Sequence, residues 1–261
     1  MESRLQKTEK GFRVPIKGNF WDNKARKYNA IPGLLFADDL AILARNWKEM
    51  DEQLKVASEV GEELEIKFNP KKSAVVIYCD CGIGSARIPK IQEKPMPIVN
   101  EYKYLGVLIS NGDNILASQE KTWSKEAEKA TNQLHAQTIW GFDKFETTMV
   151  QWKAVAVPKL TYGNAVLTQS KRLSLVLERK QKDAGKWALG IPNTNVAGEF
   201  IEGEMAWSSF EAREAQSKIR FFHRVLDMEI NRWPRQLADM MIQHKIETSW
   251  LKRVRHLEKK V

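Results

Sequence analysis

Asp38 and Asp39 stand side by side inside an apolar run, LLFADDLAIL, residues 34–43. An ionised carboxylate loses several kcal/mol or more when it leaves water without a partner. The flanks of this pair therefore favour burial while the pair itself does not. A hairpin over 33–43 resolves the conflict. Its strands would be buried, with Leu35, Phe36, Ile42 and Leu43 against the next helix, and its tip would reach water or a cation. Two adjacent carboxylates on a rigid tip suit a hard divalent ion. Mg2+ is the natural one, since it takes oxygen ligands and keeps positions open for phosphate oxygens. Two-metal phosphoryl transfer uses such carboxylates to hold ions roughly 3.5–4 Å apart. The plainer alternative is an ordinary turn, or an N-cap for a helix starting at Leu40.

The surrounding elements follow from periodicity and turn chemistry. Met50, Leu54, Ala57, Gly61 and Leu64 predict an amphipathic helix over 47–64. The turn NPKK follows, then SAVVIY (73–78) as a strand. Residues 82–100 are rich in Gly and Pro, with short extended pieces. YKYLGVLIS (102–110) reads as a strand pair with its bend at Gly106. Beyond Gly112 the spacing becomes helical. One helix carries Trp123 to Ile139 and ends near Gly141. A second runs through Met149 and Trp152 to Pro158, and a third, strongly basic, covers 171–189. Ser208-Ser209-Phe210-Glu211 predicts a capping box opening a fourth, whose stripe is Ala215, Ile219, Phe222 and Leu226. The expected class is α+β: a mixed part, then an all-helical one.

The 261 residues carry a formal net charge of +9 and a pI near 9.4. The surplus leans toward the C-terminal part, which suits a polyanionic partner such as nucleic acid. Cys79 and Cys81 read as two free thiols in a reducing compartment. No apolar run approaches the roughly 20 residues of a membrane span, and the polar N-terminus is no secretory signal. The expectation is an intracellular protein, nuclear or cytoplasmic, with no membrane partner.

Four blocks, taken in order, resemble the reverse transcriptases of non-long-terminal-repeat (LINE-like) retrotransposons. FADD with apolar flanks resembles their catalytic hairpin, motif C, with Phe36 where the family often has Tyr. FNPKKSAVVIY (68–78) resembles motif D, with Lys72 at its lysine. YKYLGVLIS resembles motif E, the hairpin that grips the primer end. PKLTYGNAVL (158–167), LERKQKDAGKWALGIP (177–192) and the segment 203–228 resemble the thumb and the region after it. The likeness covers about residues 1–240. It implies a partial polymerase palm over 32–112 and a helical thumb and C-terminal region over 113–261. Residues 1–31 become a lead-in. Motifs A and B, with the family's first catalytic aspartate, are not recognisable; Asp22 lacks the apolar strand context. The chain thus reads as the C-terminal half of a polymerase domain, inactive alone, with a possible upstream polymerase half as partner.

The resemblance also implies roles. Asp38 is a metal ligand, and Asp39 a second ligand or its electrostatic support. Lys72 serves the departing pyrophosphate, or is a solvated turn lysine. Tyr104, Leu105 and Gly106 form the primer grip, or a packed strand with a bulge. Lys171, Arg172, Arg179, Lys180, Lys182 and Lys186 track the phosphates of an RNA template and DNA primer, or form a solvated face. Arg220, Arg224, Lys252, Arg253 and Arg255 add to the same expectation. The tryptophans stack on bases or, more in keeping with helical spacing, fill cores. The four histidines have no metal-like spacing. The implied reaction is RNA-templated DNA synthesis from deoxynucleoside triphosphates with Mg2+. The competing readings are a non-catalytic nucleic-acid-binding or assembly module, and an unfolded relic.

Overall fold

A computed structural model describes residues 12–15, 28–78, 88–112, 116–139 and 143–260. Phe20, Trp21, Asp22, Cys79, Cys81, Trp140 and Gly141 lie outside the described residues, as does most of the 1–31 lead-in. The fold is α+β in the broad sense: mostly helical, with small two-stranded ladders toward the N-terminus. Its contacts divide the chain into two units, Met1–Ile115 with Glu229–Ile246, and Leu116–Met228 with Glu247–Val261. Residues 229–246, expected within the C-terminal helical part, therefore group with the first unit.

In the first unit β1 (Phe12–Pro15) pairs antiparallel with β2 (Tyr28–Ile31), and β3 (Gly33–Phe36) with β4 (Asp39–Ile42). Helix α1 (Trp47–Glu63) follows. Asn46 caps it by accepting from the Glu49 N–H at 3.0 Å, and Glu49 reaches back to the Arg45 N–H at 3.1 Å. This reciprocal capping fixes the angle at which β4 turns into α1. Of SAVVIY only Val75–Val76 (β5) enters a ladder, parallel to Ile98–Val99 (β8). Between them β6 (Lys90–Ile91) and β7 (Lys94–Pro95) close a hairpin through Gln92 and Glu93, both at positive φ. The Gln92 amide bonds the Ile66 carbonyl and the Phe68 N–H, tying this hairpin to the end of α1. Strands β9 (Glu101–Tyr104) and β10 (Val107–Ser110) form the last hairpin. The core is Leu54, Ala57, Val75, Ile91 and Met96, with Leu40, Ile42 and Met50 against it. Among the described residues the strands make five separate pairs rather than one continuous sheet. A smaller cluster joins Ile31 to Met240 of α8 (Trp233–Gln243).

The second unit is helical: α2 (Ala117–Thr138), α3 (Lys144–Gln151), a π-helical segment (Trp152–Ala156), α4 (Val157–Leu160), α5 (Lys171–Ala188), α6 (Gly198–Met205), α7 (Phe210–Leu226) and α9 (Ser249–Glu258). The expected second helix thus continues past Pro158. Proline has no N–H to donate and its ring crowds the carbonyl four residues back, so the helix widens just before it. The core gathers Trp123, Leu134, Trp152, Leu160, Leu177, Ile201, Trp207 and Phe210. Gly185 brings α5 and α6 together, since a Cβ there would meet Ile201 Cγ2 at 2.2 Å. The cap of α7 is Ser209, not Ser208: its hydroxyl accepts from the Ala212 N–H at 3.1 Å. The reciprocal Glu211 bond of a capping box is replaced by Glu178 of α5, which accepts from the Phe210 and Glu211 N–H groups at 2.6 and 3.2 Å.

One charged side chain lies at the centre of this unit. Lys218 is fully buried. Its ammonium donates to the Asn164 carbonyl at 2.5 Å and to the Leu167 carbonyl, and lies 3.5 Å from Glu214. Arg253 of α9 donates to the same buried Glu214 at 2.7 Å, and Trp250 Nε1 to the Ala165 carbonyl at 2.8 Å. These bonds hold the 161–169 turn against α7 and α9. Burial pushes the Lys218 ammonium down to about 8, against the pull of Glu214. Lys218→Met should cost about 3 kcal/mol at neutral pH, measured by urea denaturation, because two carbonyls lose a buried donor and buried Glu214 loses one of its two cations. Between pH 8 and about 10.4 the unfolded lysine holds the proton that the folded one has released. Wild-type stability should therefore rise relative to Lys218→Met across that window.

Candidate nucleotidyl-transfer and nucleic-acid interface

The β3–β4 register pairs Phe36 with Asp39, leaving Ala37 and Asp38 as a two-residue turn with Ala37 at φ 52°. Asp38 is the second turn residue and Asp39 the first residue of β4; both are exposed. Leu40 and Ile42 pack against the core below. The other expected flank contacts are not made: Leu35, Phe36 and Leu43 are exposed, as is Leu34. Leu35 stands opposite Leu40 and so on the same face, yet it is exposed; with Leu34 and Phe36 the run 34–36 presents side chains to solvent on both faces of β3.

The second hairpin turns as tightly. Tyr104 pairs with Val107, and Leu105 and Gly106 both take positive φ, 46° and 81°. That combination is the type I′ turn whose twist matches its strands, and Gly106 adopts it without a Cβ penalty. The hairpin is tied to the NPKK turn, because the Tyr102 hydroxyl donates to the Lys72 carbonyl. Lys72 itself is exposed in that turn. Tyr104 is half-buried. Its phenol pKa is raised first by burial and then by the charge of Asp39. The two hairpins, more than sixty residues apart in sequence, thus share one electrostatic neighbourhood.

A two-ion metal centre needs more than two adjacent carboxylates. Mg2+ wants near-octahedral oxygen, and two ions want at least one carboxylate bridging them. Among the described residues no group of three or more His, Cys, Asp or Glu side chains converges. The described residues therefore do not supply the donor set of a two-ion centre.

On α5 the buried side is Leu173, Leu177, Gln181, Ala184, Gly185 and Ala188. Helical spacing puts Lys171, Arg172, Arg179, Lys182 and Lys186 on the opposite side. Lys180 falls outside that face; with Lys144 it lowers the pKa of His135, after burial, the larger cause. Arg179, Lys182 and Lys186 line a groove of about 560 Å³ whose other lining includes Glu178, Asp183, Glu199 and Glu202. The expected basic face is thus partly offset by acids of α5 and α6. Lys171 and Arg172 stand exposed outside the groove. Further along, Arg253 is committed to Glu214, while Lys252 and Arg255 lie 3.4 and 3.7 Å from Glu247. Trp123, Trp152 and Trp207 are core residues. Trp187 lies under the Lys144 ammonium at 3.6 Å and donates to Thr138 Oγ1 at 2.8 Å.

The polar side chains that matter most in this unit, Lys218, Glu214 and Gln181, were not singled out by motif. Gln181 Oε1 accepts from Trp152 Nε1 and Arg213, and its amide donates to the Ser208 carbonyl. The only sequence signal was the i,i+4 pair Glu214–Lys218. No protein-family model, curated protein or solved structure matches the chain.

Reversing Lys171 and Arg172 to Glu should lower the slope of log K against log salt for duplex binding by about 1–2. Reversing Lys182 and Lys186 should lower it less, because Glu199 and Glu202 already offset them. Fluorescence anisotropy on a primed RNA template at several salt concentrations reads both.

Proposed function

We propose that the chain carries the aspartate hairpin and primer-grip hairpin of a LINE-like, RNA-directed DNA polymerase. On this reading the first unit is palm-like and the helical unit thumb-like. The partners are an RNA template, a DNA primer and deoxynucleoside triphosphates. The observation that carries the proposal is the exposed Asp38–Asp39 pair at a two-residue hairpin turn, in the same unit as a second hairpin that turns as tightly at Leu105-Gly106. Asp38 and Asp39 stay in water at a rigid tip, where a ligand can reach them. The exposed Leu34, Leu35 and Phe36 support a site completed by further chain packed beside β3. That chain would also bring the carboxylate that two Mg2+ ions need. Lys72, exposed beside the Tyr102 anchor, is the candidate partner for pyrophosphate.

A second reading, a non-catalytic nucleic-acid-binding module, is favoured by the lack of a three-acid group among the described residues. It is also favoured by Lys171 and Arg172, which have no carboxylate partner among the described residues.

Primer extension separates the two. The purified chain is given a primed RNA template, all four deoxynucleotides, and Mg2+ or Mn2+. No extension is expected from the chain alone. Extension should appear when a polypeptide bearing the family's motifs A and B is added, and should vanish with Asp38→Ala. Extension by the chain alone that Asp38→Ala abolishes would overturn the need for a further carboxylate. Salt-sensitive template binding without extension in any mixture would leave the second reading.

A further inference from the structure

Lys72 lies in the turn NPKK, and the bonds that shape this turn are its own. The Asn69 side-chain oxygen accepts from the Lys71 N–H at 3.0 Å. The Asn69 carbonyl accepts from the Lys72 N–H at 3.0 Å and from the Ser73 hydroxyl at 2.9 Å. Such local asparagine bonds give a turn its form. They do not give it a place, because every partner lies within four residues. The place comes from outside. The Val75 N–H donates to the Pro97 carbonyl at 2.9 Å, and Val75 and Val76 pair with β8. Nearer the lysine, the Tyr102 hydroxyl of β9 donates to the Lys72 carbonyl itself.

The identity of that acceptor matters. The Lys72 side chain is exposed, on a flexible four-carbon stem. The reach of its ammonium is therefore set by where its backbone is held, and Tyr102 holds that backbone. Side chains two apart on a strand share a face. Tyr102 thus stands on the same face of β9 as Tyr104, opposite Ile109 and Val107 of β10. One strand face carries both the tether of Lys72 and the aromatic residue of the proposed primer grip. Phenylalanine would fill the Tyr102 position equally well but could not bond Lys72.

We propose that Tyr102 is a positioning residue for Lys72: its hydroxyl holds the NPKK turn on the 101–110 hairpin, so that the ammonium meets the departing pyrophosphate from a fixed position. This rests on the polymerase reading of the two hairpins. Tyr102 touches no reacting atom and acts through Lys72. Charge grows on the pyrophosphate as it leaves, so a displaced ammonium costs rate rather than nucleotide affinity.

The test uses Tyr102→Phe, which removes the hydroxyl and keeps the ring. In the full chain alone, trypsin cleavage at the Lys72–Ser73 bond should speed up about fivefold, the factor that one ordinary hydrogen bond carries. Cleavage in the helical unit should not change; mass spectrometry reads both. In the extension assay with the polypeptide bearing motifs A and B, Tyr102→Phe should lower kcat about fivefold and leave KM for the deoxynucleotide unchanged. In a Lys72→Ala background the same substitution should have no further effect. Loss of folded protein would lower turnover equally in both backgrounds, so the cycle separates positioning from structure. Unchanged cleavage, unchanged kcat beside an active wild type, or an equal loss in the Lys72→Ala background would overturn the proposal and leave the polymerase reading standing. No extension by the wild type in any mixture would overturn the polymerase reading, and this role of Tyr102 with it.

Discussion

Lys218 is buried completely, and a buried ammonium persists only where oxygen atoms replace its water. Two backbone carbonyls and Glu214 do so here. Satisfying that one charge imposes much of the geometry around it. The carbonyls belong to Asn164 and Leu167, so the turn after α4 must fold over α7. Glu214, itself buried, then needs a second cation and takes Arg253 from α9. Trp250 closes the same arrangement from one residue-turn earlier on α9, through the Ala165 carbonyl. Apolar packing alone would tolerate small slips of α9 along α7. A set of charge-assisted bonds with fixed donors and acceptors does not.

The same constraint has the opposite outcome at Asp38 and Asp39. Their neighbours along the chain are apolar, and among the described residues no ion pair holds them, so the pair stands exposed at the tip. The turn at Ala37-Asp38 and the turn at Leu105-Gly106 are each two residues long, and each requires positive φ. Such turns hold little freedom, which fixes the pair at the tip of its own hairpin. On the proposed reading this rigidity prepares a metal ligand beside a primer grip. The exposed β3 side chains mark the side from which the site would be completed.

The helical segment before Pro158 shows how one backbone irregularity serves two faces. Proline removes a hydrogen bond and the preceding turns widen. The widening keeps Trp152 and Leu160 aligned toward the core, and it equally aligns Val150 and Pro158 toward solvent. The core side explains why the irregularity is tolerated.

Local pattern sufficed for elements whose signals are local. The Asp-Asp hairpin, the helix after it, the bend at Gly106 and the basic helix all follow from turn residues and periodicity, and all are present. The candidate carboxylates and the Leu105-Gly106 turn could be named for the same reason, since their residue types and order in the chain are local facts. What the tertiary structure decided was which surfaces meet. Leu35 and Phe36 have the character of core residues, yet the core closes on Leu40 and Ile42 of the paired strand and leaves both exposed. Ser209 displaced Ser208 as a cap because Glu178, thirty residues earlier, already satisfied the neighbouring N–H groups. Arg179, Lys182 and Lys186 formed a plain basic face until α6 placed Glu199 and Glu202 across from them. Lys218 had every sequence mark of a solvated lysine. Its burial depends on carbonyls and a second cation from distant segments, and no pattern along the chain encodes whether such partners will converge.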